Sequence, residues 1–279
     1  MIVALPDPND ILNTLGVEKI SHIEAVSGGS DTTIWKVAHG GQVSALRLFR
    51  PEQVDAARRE AIAMTATQGV APVPQLRREG VWHGRPALFL EWMRGVPLRD
   101  QLFANPASAY DLGVAFGGAQ ALIHTVEAPY ELQSGGWTDW IGIPFPAEAR
   151  GNALLHFDYH PLNVLFDGEN VSGVVDWPNC GAGDPRLDAA RTLVMLQFGP
   201  TNATGLDPAL IEHARKSLIT GWRTGYLANG GSLSNFAPFL PWAGNATLRD
   251  LERKSDPNVS EMVATLRAFV EGSSPFPQD

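Results

Sequence analysis

Residues 154–177 read LLHFDYHPLNVLFDGENVSGVVDW, an apolar run into which His156, Asp158, His160, Asn163 and Asp176 are set. Strand-like sequence hides its polar groups or exposes them singly, so five reactive side chains here point to a shared task. Residues 167–170, DGEN, have turn composition, and the flanking NVLF and VSGVV then form a hairpin. If Phe166 faces Val171, Asn163 faces Val174, and Asp176 lies two residues further, about 7 Å along the strand. The hairpin thus returns Asp176 to Asn163 and to the loop carrying Asp158. Two carboxylates and an amide oxygen at one hairpin mouth suit Mg²⁺, a hard cation that keeps waters and takes further oxygens from phosphates. Asp158 can accept a proton from an attacking hydroxyl. Two other readings stay open: inert polar capping of the hairpin mouth, and a zinc site of His156, Asp158 and His160 on one strand face. Against zinc, Pro161 disfavours helical geometry at His160 and no fourth ligand is evident. His156 reads instead as a structural histidine held by backbone hydrogen bonds.

Upstream, KISHIEAVSGGSDTTIWKVAHGGQVSALRLFR (19–50) alternates apolar and polar residues in three runs separated by SGGSD and AHGGQ. That pattern predicts an antiparallel meander. Ser27, Gly28, Gly29 and Ser30 fall between its first two strands, where free N–H groups can cradle phosphates, although an ordinary hairpin turn has the same composition. Arg47 lies between Leu46 and Leu48 and points to the opposite face. A helix follows, with Pro51 near its start and Gly69 just past its end, and with Val54, Ala57, Ala61 and Met64 forming its packed face. Glu60 sits beside that face, and Arg47 on the preceding strand is its natural partner; solvation of both is the plain alternative. GVWHGRPALFLEWMRG (80–95) gives two more strands around a turn at His83-Gly84.

Beyond Leu98 the pattern becomes helical. SAYDLGVAFGGAQALIHTV is rich in small residues, which predicts close packing against a neighbour. Residues 127–149 are loop-like with short helical pieces, while 206–228 and 246–271 read as helices. The expected architecture is α+β: a β-rich N-terminal lobe over residues 1–92 and a mainly helical lobe over 93–279, joined near LEWMRG.

Composition narrows the function. With 279 residues, 44% of them hydrophobic, the chain can build a real core. A net charge of −9 argues against nucleic-acid binding, which needs clustered Lys and Arg. It is compatible with a cationic small-molecule partner and equally with solubility alone. A lone cysteine, Cys180, excludes an internal disulfide. The start MIVALPDPND lacks the basic and apolar regions of a signal peptide, and no run approaches the ~18 apolar residues of a membrane span. A soluble, cytoplasmic protein is expected.

His156, Asp158 and Asn163 fit H-x-D-x-x-x-x-N, the catalytic-loop spacing of protein kinases, with Phe157 in place of Arg. Together with SGGSDTTIWKV, ALRLF, RREAIAM, LEWMRG and GVVDWPNCGAGDPRLDAAR, the chain resembles the aminoglycoside phosphotransferase and choline kinase superfamily over roughly residues 20–195. These are small-molecule kinases of bilobal, protein-kinase-like fold, and the Asp176-Trp177 pair is similar to theirs rather than to Asp-Phe-Gly. The resemblance implies transfer of the γ-phosphoryl of ATP or GTP to a hydroxyl of an aminoglycoside-, macrolide- or choline-like acceptor. By it, Asp158 is the catalytic base, Asn163 and Asp176 hold Mg²⁺, and Arg47, oriented by Glu60, contacts the phosphates beside the Gly loop. Backbone atoms of Glu91, Trp92 and Met93 meet the purine, and Asp184 and Asp188 brace the catalytic loop. Two departures stand out: bulky Phe157 and Tyr159 replace the usual Gly and Leu, and the segment between His124 and His156 is short. An inactive nucleotide-binding module is the rival reading. Trp137, Trp140, Trp177, Trp222, Tyr226 and Trp242 lie in the helical lobe or its loops, where core or surface packing is the plain reading of each and a place in an acceptor pocket the alternative. Asp139 is a candidate to meet a substrate amine.

Overall fold

Alternation at period two puts successive side chains of one strand on opposite faces of a sheet, and this decides the N-terminal half. The computed structural model describes residues 6–26, 32–199, 205–254 and 260–272. Strands β1 (Ile20–Val26), β2 (Thr33–His39), β3 (Gln42–Leu48), β4 (Leu76–Trp82) and β5 (Arg85–Glu91) form an antiparallel sheet in the order β1-β2-β3-β5-β4. The expected turn joins β4 to β5, with His83 and Gly84 both at positive φ (47° and 76°), as a two-residue hairpin turn requires. Ser27 to Ser30 lie outside the described residues.

One sheet face carries Trp35, Val37, Leu46, Leu48, Ala87 and Phe89 and is covered by helix α1 (Pro8–Thr14) through Ile11 and Leu12. The sequence reading missed α1. Its signal was present: Asp7 accepts from the Asn9 N–H at 2.9 Å and Pro8 occupies the first turn. Leu88 and Leu90 face the other way, towards helix α2 (Val54–Thr67) and its buried Ala57, Ala61 and Met64. Val54, expected on that packed face, is 58% exposed, because it opens the helix before the first turn reaches the sheet.

The rest of the chain is mainly helical. Strand β6 (Val96–Pro97) leads into helices α3 (Leu98–Ala104), α4 (Ala109–Ile123) and α5 (Gly136–Ile141). Short strands β7 (Ala153–Leu155), β8 (Val164–Phe166), β9 (Val171–Val174) and β10 (Gly181–Gly183) follow, then α6 (Pro185–Phe198), α7 (Pro208–Ala228), α8 (Phe239–Lys254) and α9 (Ser260–Val270). The helix read over 246–271 is therefore the end of α8 plus α9. α8 begins at Phe239 because Pro241 sits within its first turn, where its missing N–H costs nothing. β8 and β9 make the expected hairpin, with a bulge between Leu165 and Phe166. Phe166 does face Val171, but the bulge sets Val164, not Asn163, opposite Val174. β7 pairs with β10 rather than with the hairpin.

The small residues of α4 meet those of α7 backbone to backbone. A β-carbon at Gly117 would lie 2.0 Å from the Trp222 carbonyl oxygen, and one at Gly225 2.0 Å from that of Val114. Gly117→Ala is therefore expected to destabilise. Alanine's helix preference offers about 1 kcal/mol, but a backbone clash that no rotamer relieves costs about 1–3 kcal/mol or more. The urea midpoint should fall, and a rise would contradict this packing. Among the described residues, no helix is long and apolar enough to cross a membrane.

Candidate active site

β7 delivers the chain to the loop His156–Asn163, and that loop is pinned from beneath. His156 is fully buried; its Nε2 lies 3.1 Å from the Val175 carbonyl, and its Nδ1 accepts from the Asp158 N–H at 3.2 Å. One nitrogen must donate and the other accept, which fixes a neutral imidazole protonated on Nε2. Burial lowers its pKa, outweighing the pull of Asp188 and Asp158. Both ring nitrogens are thereby committed, which removes His156 as a zinc ligand.

A linkage follows from that neutral ring. The unfolded chain takes up a proton near pH 6.5, the folded one only lower. The contribution of His156 is thus complete above about pH 6.5 and is lost as pH falls towards its folded pKa. His156→Gln can donate and accept in the same places without titrating. Its melting temperature should decline less than that of the wild type below about pH 6.5. Parallel profiles would remove His156 as a cause.

Phe157 adopts a left-handed conformation, φ 58°, that costs a bulky residue about 1–3 kcal/mol. Its surroundings enforce it. The Phe157 N–H donates to Asp188 Oδ1 at 2.6 Å, and its carbonyl accepts from Arg191 Nε. Its buried ring packs 5.2 Å from that of Trp137. Tyr159 anchors the far side, donating its hydroxyl to the Phe116 carbonyl at 2.7 Å and accepting at its own carbonyl from Thr192 at 3.0 Å. The two bulky departures are the posts between which Asp158 is held.

Asp188 performs the expected bracing, accepting also from Gln120 at 3.0 Å and contacting His124 Nε2 at 2.9 Å. Burial pushes its carboxyl up, but His124, His156 and Gln120 more than offset that and hold it below the usual range. Asp184 does not touch the loop. It caps α6 through the Arg186 N–H and accepts from the Arg150 N–H at 2.7 Å.

Asn163 turns its amide nitrogen to Asp158, 3.0 Å from the backbone oxygen and 3.3 Å from Oδ2. Its own carbonyl accepts from the Val175 N–H at 2.9 Å, which carries Asp176 to the same mouth despite the shifted register. Asp176, 41% exposed and at φ 67°, receives Arg47 Nη2 at 2.6 Å. Arg47 also donates to Glu60 Oε1 at 2.8 Å and to Thr32 at 3.2 Å. Burial opposes the Arg47 charge, but Glu60 and Asp176 hold its proton more firmly than usual. Burial likewise pushes the Glu60 carboxyl up against the pull of that guanidinium. So β3, α2 and the hairpin converge on Arg47, and the expected strand-to-helix ion pair extends to Asp176.

Arg191 was not singled out from the sequence. It is 1% exposed and binds Phe157 from one side and Asp250 Oδ2, at 2.7 Å, from the other, with Asp158 Oδ1 3.7 Å away. Asp188 and Arg191 sit one helical turn apart among Leu187, Ala189, Ala190 and Leu193, the signal that could have found it. The aromatic candidates do not line an open pocket: Trp177, Trp222 and Tyr226 are fully buried, Trp137 and Trp242 nearly so, and Trp140 lies at the surface. Asp139 accepts from the Gly135 N–H. At the end of β5 the Glu91 N–H donates to the Gln75 carbonyl at 2.8 Å, and just beyond it Lys36 lies over the Trp92 ring.

The model of the phosphotransferase enzyme family matches residues 22–141 and 139–227. Among solved structures, the chain resembles aminoglycoside phosphotransferase APH(4)-Ia with a TM-score of 0.66 at 14% identity, covering 95% of this chain and 97% of that one. The amicoumacin kinase hAmiN, in complex with AMP-PNP, Ca²⁺ and Ami, gives 0.66 at 14% identity over 98% and 96%. Macrolide 2'-phosphotransferase MphH from Brachybacterium faecium gives 0.54 at 18% over 97% of each chain. At these identities the likeness is one of fold. No curated protein sequence matches the chain.

Proposed function

The chain belongs to the phosphotransferase enzyme family, small-molecule kinases of bilobal protein-kinase-like fold, and from that premise we propose the donor, the metal and the working residues. The donor is ATP or GTP, bound by residues 1–92, and the acceptor is a small-molecule hydroxyl received by residues 93–279. Asp158 takes the hydroxyl proton. Asp176 and Asn163 hold Mg²⁺: a half-exposed carboxylate and an amide whose nitrogen is committed to Asp158 offer the hard oxygens such an ion takes. When bound, the ion neutralises charge on the phosphate oxygens. Arg47, kept charged and oriented by Glu60, faces the phosphates, and the N–H groups of Ser27, Gly28, Gly29 and Ser30 are proposed to contact them. With the Glu91 N–H committed to Gln75, the donor to a base edge comes from Trp92 or Met93. Transfer then needs little covalent work from the protein; alignment and fixed charge supply most of the acceleration.

The observation that supports this most is the contact of Arg47 with Asp176 at 2.6 Å, since it joins the phosphate side to the metal side of one cleft. The test is ADP or GDP release across a panel of alcohol acceptors, with Mg²⁺ and with chelator. Release above the water rate, only with an acceptor and only with Mg²⁺, is expected. Nucleotide binding without release to any acceptor would favour an inactive nucleotide-binding module instead.

A further inference from the structure

A cavity of about 410 Å³ opens beside Asp158 and His160, walled by α3, α6, α7, α8 and α9. Its size lies low in the range of small-molecule sites, about 300–1,000 Å³. The walls are mostly aliphatic, with Leu102 on α3, Met195 on α6, Ile211 and Leu218 on α7, Leu251 on α8 and Met262 on α9. The charged lining residues are Arg99, Arg191 and Arg215 against Asp158 and Asp250. Arginines outnumber carboxylates, and one of the two aspartates already carries Arg191 at 2.7 Å. Arg215 donates to the carbonyls of Gln197 and Gly199 and lies 3.5 Å from Glu212. Arg99 pairs with Asp100 at 2.8 Å.

Such a lining suits neither of the cationic acceptor classes. A polyamine sugar needs several carboxylates to replace its hydration, and the described lining supplies two, one of them already carrying Arg191. A quaternary ammonium needs aromatic faces, and Phe103 is the only Phe, Tyr or Trp among the described lining residues. Burying aliphatic surface against these walls is the favourable interaction on offer, about 25 cal/mol per Å².

We infer that the acceptor is an uncharged, mainly aliphatic alcohol, its hydroxyl at Asp158 and its body against α6, α7 and α8. This rests on the phosphotransfer reading above. The hydroxyl oxygen forms the new bond to the γ-phosphorus, the bond from the β–γ bridging oxygen to that phosphorus breaks, and the nucleoside diphosphate leaves. The hydroxyl proton passes to the Asp158 carboxylate.

The test uses 1,10-decanediol, choline and kanamycin A as probes in calorimetric titrations, with and without Mg·AMP-PNP. Decanediol is expected to bind saturably in both conditions and choline and kanamycin A not to bind. Met195→Glu should weaken decanediol roughly tenfold or more by placing a carboxylate in the cavity. If that variant does not melt cooperatively, Leu251→Glu makes the same test from the α8 wall. Non-saturating heats with decanediol, tighter binding of either cation, or undiminished binding in the folded glutamate variant would overturn the inference. Saturable decanediol binding in a protein that Mg·nucleotide does not stabilise would uphold the apolar pocket and sink the phosphotransfer reading. A Mg·nucleotide response without decanediol binding would do the reverse.

Discussion

Asp176→Asn is expected to cut turnover by roughly 10²–10³-fold, the usual loss when one group aimed at transition-state charge is removed. Asparagine is the substitution that isolates the charge. It matches the shape of aspartate and, like it, tolerates the left-handed backbone that Asp176 adopts at φ 67°. Arg47 keeps its 2.8 Å contact with Glu60, so its guanidinium stays in place. What is lost is an anionic oxygen at the proposed metal position, and the Mg²⁺ concentration needed for half-maximal rate should rise. His160→Ala is the control: His160 lines the cleft, 3.6 Å from Asp158, but has no assigned part in holding nucleotide. Its nucleotide affinity should stay close to wild type. Wild-type turnover in Asp176→Asn, or a greater loss of nucleotide binding in His160→Ala, would contradict the assignment.

Arg191→Leu is expected to lower stability by about 3–5 kcal/mol, the cost of breaking a buried, hydrogen-bonded charge pair from one side. The guanidinium lies 4.3 Å over the Trp137 ring and ties α6 to the loop at the Phe157 carbonyl and to α8 at Thr247 (3.4 Å) and Asp250 (2.7 Å). Leucine fills part of the space and restores none of the donors. The left-handed Phe157 loses one of its two polar restraints, so the loop that fixes Asp158 loosens as well. Urea unfolding should show the stability loss, and turnover per folded molecule should fall with it. Arg191→Leu combined with Asp250→Leu should recover part of the stability and none of the turnover, because two apolar groups repair the desolvation but not the loop. A single variant as stable as wild type would contradict the bracing role.

Local chemistry made much of this structure legible. Gly40-Gly41, His83-Gly84 and strict alternation marked the strands around the His39–Gln42 and Trp82–Arg85 turns, because turn dihedrals and period-two burial are properties of neighbouring residues. Arg47 and Glu60 could be paired because each broke an apolar pattern on adjacent elements. His156, Asp158 and Asn163 stood out for the same reason, and the structure brings them together in one loop. What escaped depends on distant partners. The bulge in the hairpin changed register by one residue, yet the Asn163 carbonyl and Val175 N–H still brought Asp176 home. Phe157 and Tyr159 read as obstacles in sequence, whereas Asp188, Arg191 and Phe116 turn them into anchors. Packing was the plainer reading of the tryptophans, but which of them enter the core (Trp137, Trp177, Trp222 and Trp242) and which stays at the surface (Trp140) is decided by helices that meet only in three dimensions.

Thermal melting with ATP and GTP, each with and without Mg²⁺, tests most directly that the Arg47–Asp176 cleft holds a metal–nucleotide complex. At about 100 times its Kd, a ligand stabilises by about 2.7 kcal/mol, which moves the melting temperature by several degrees. An upward shift that requires Mg²⁺ and vanishes in Asp176→Asn is the predicted result, and the nucleotide that produces it is the donor. No shift with either nucleotide, or an equal shift without Mg²⁺, would contradict the account.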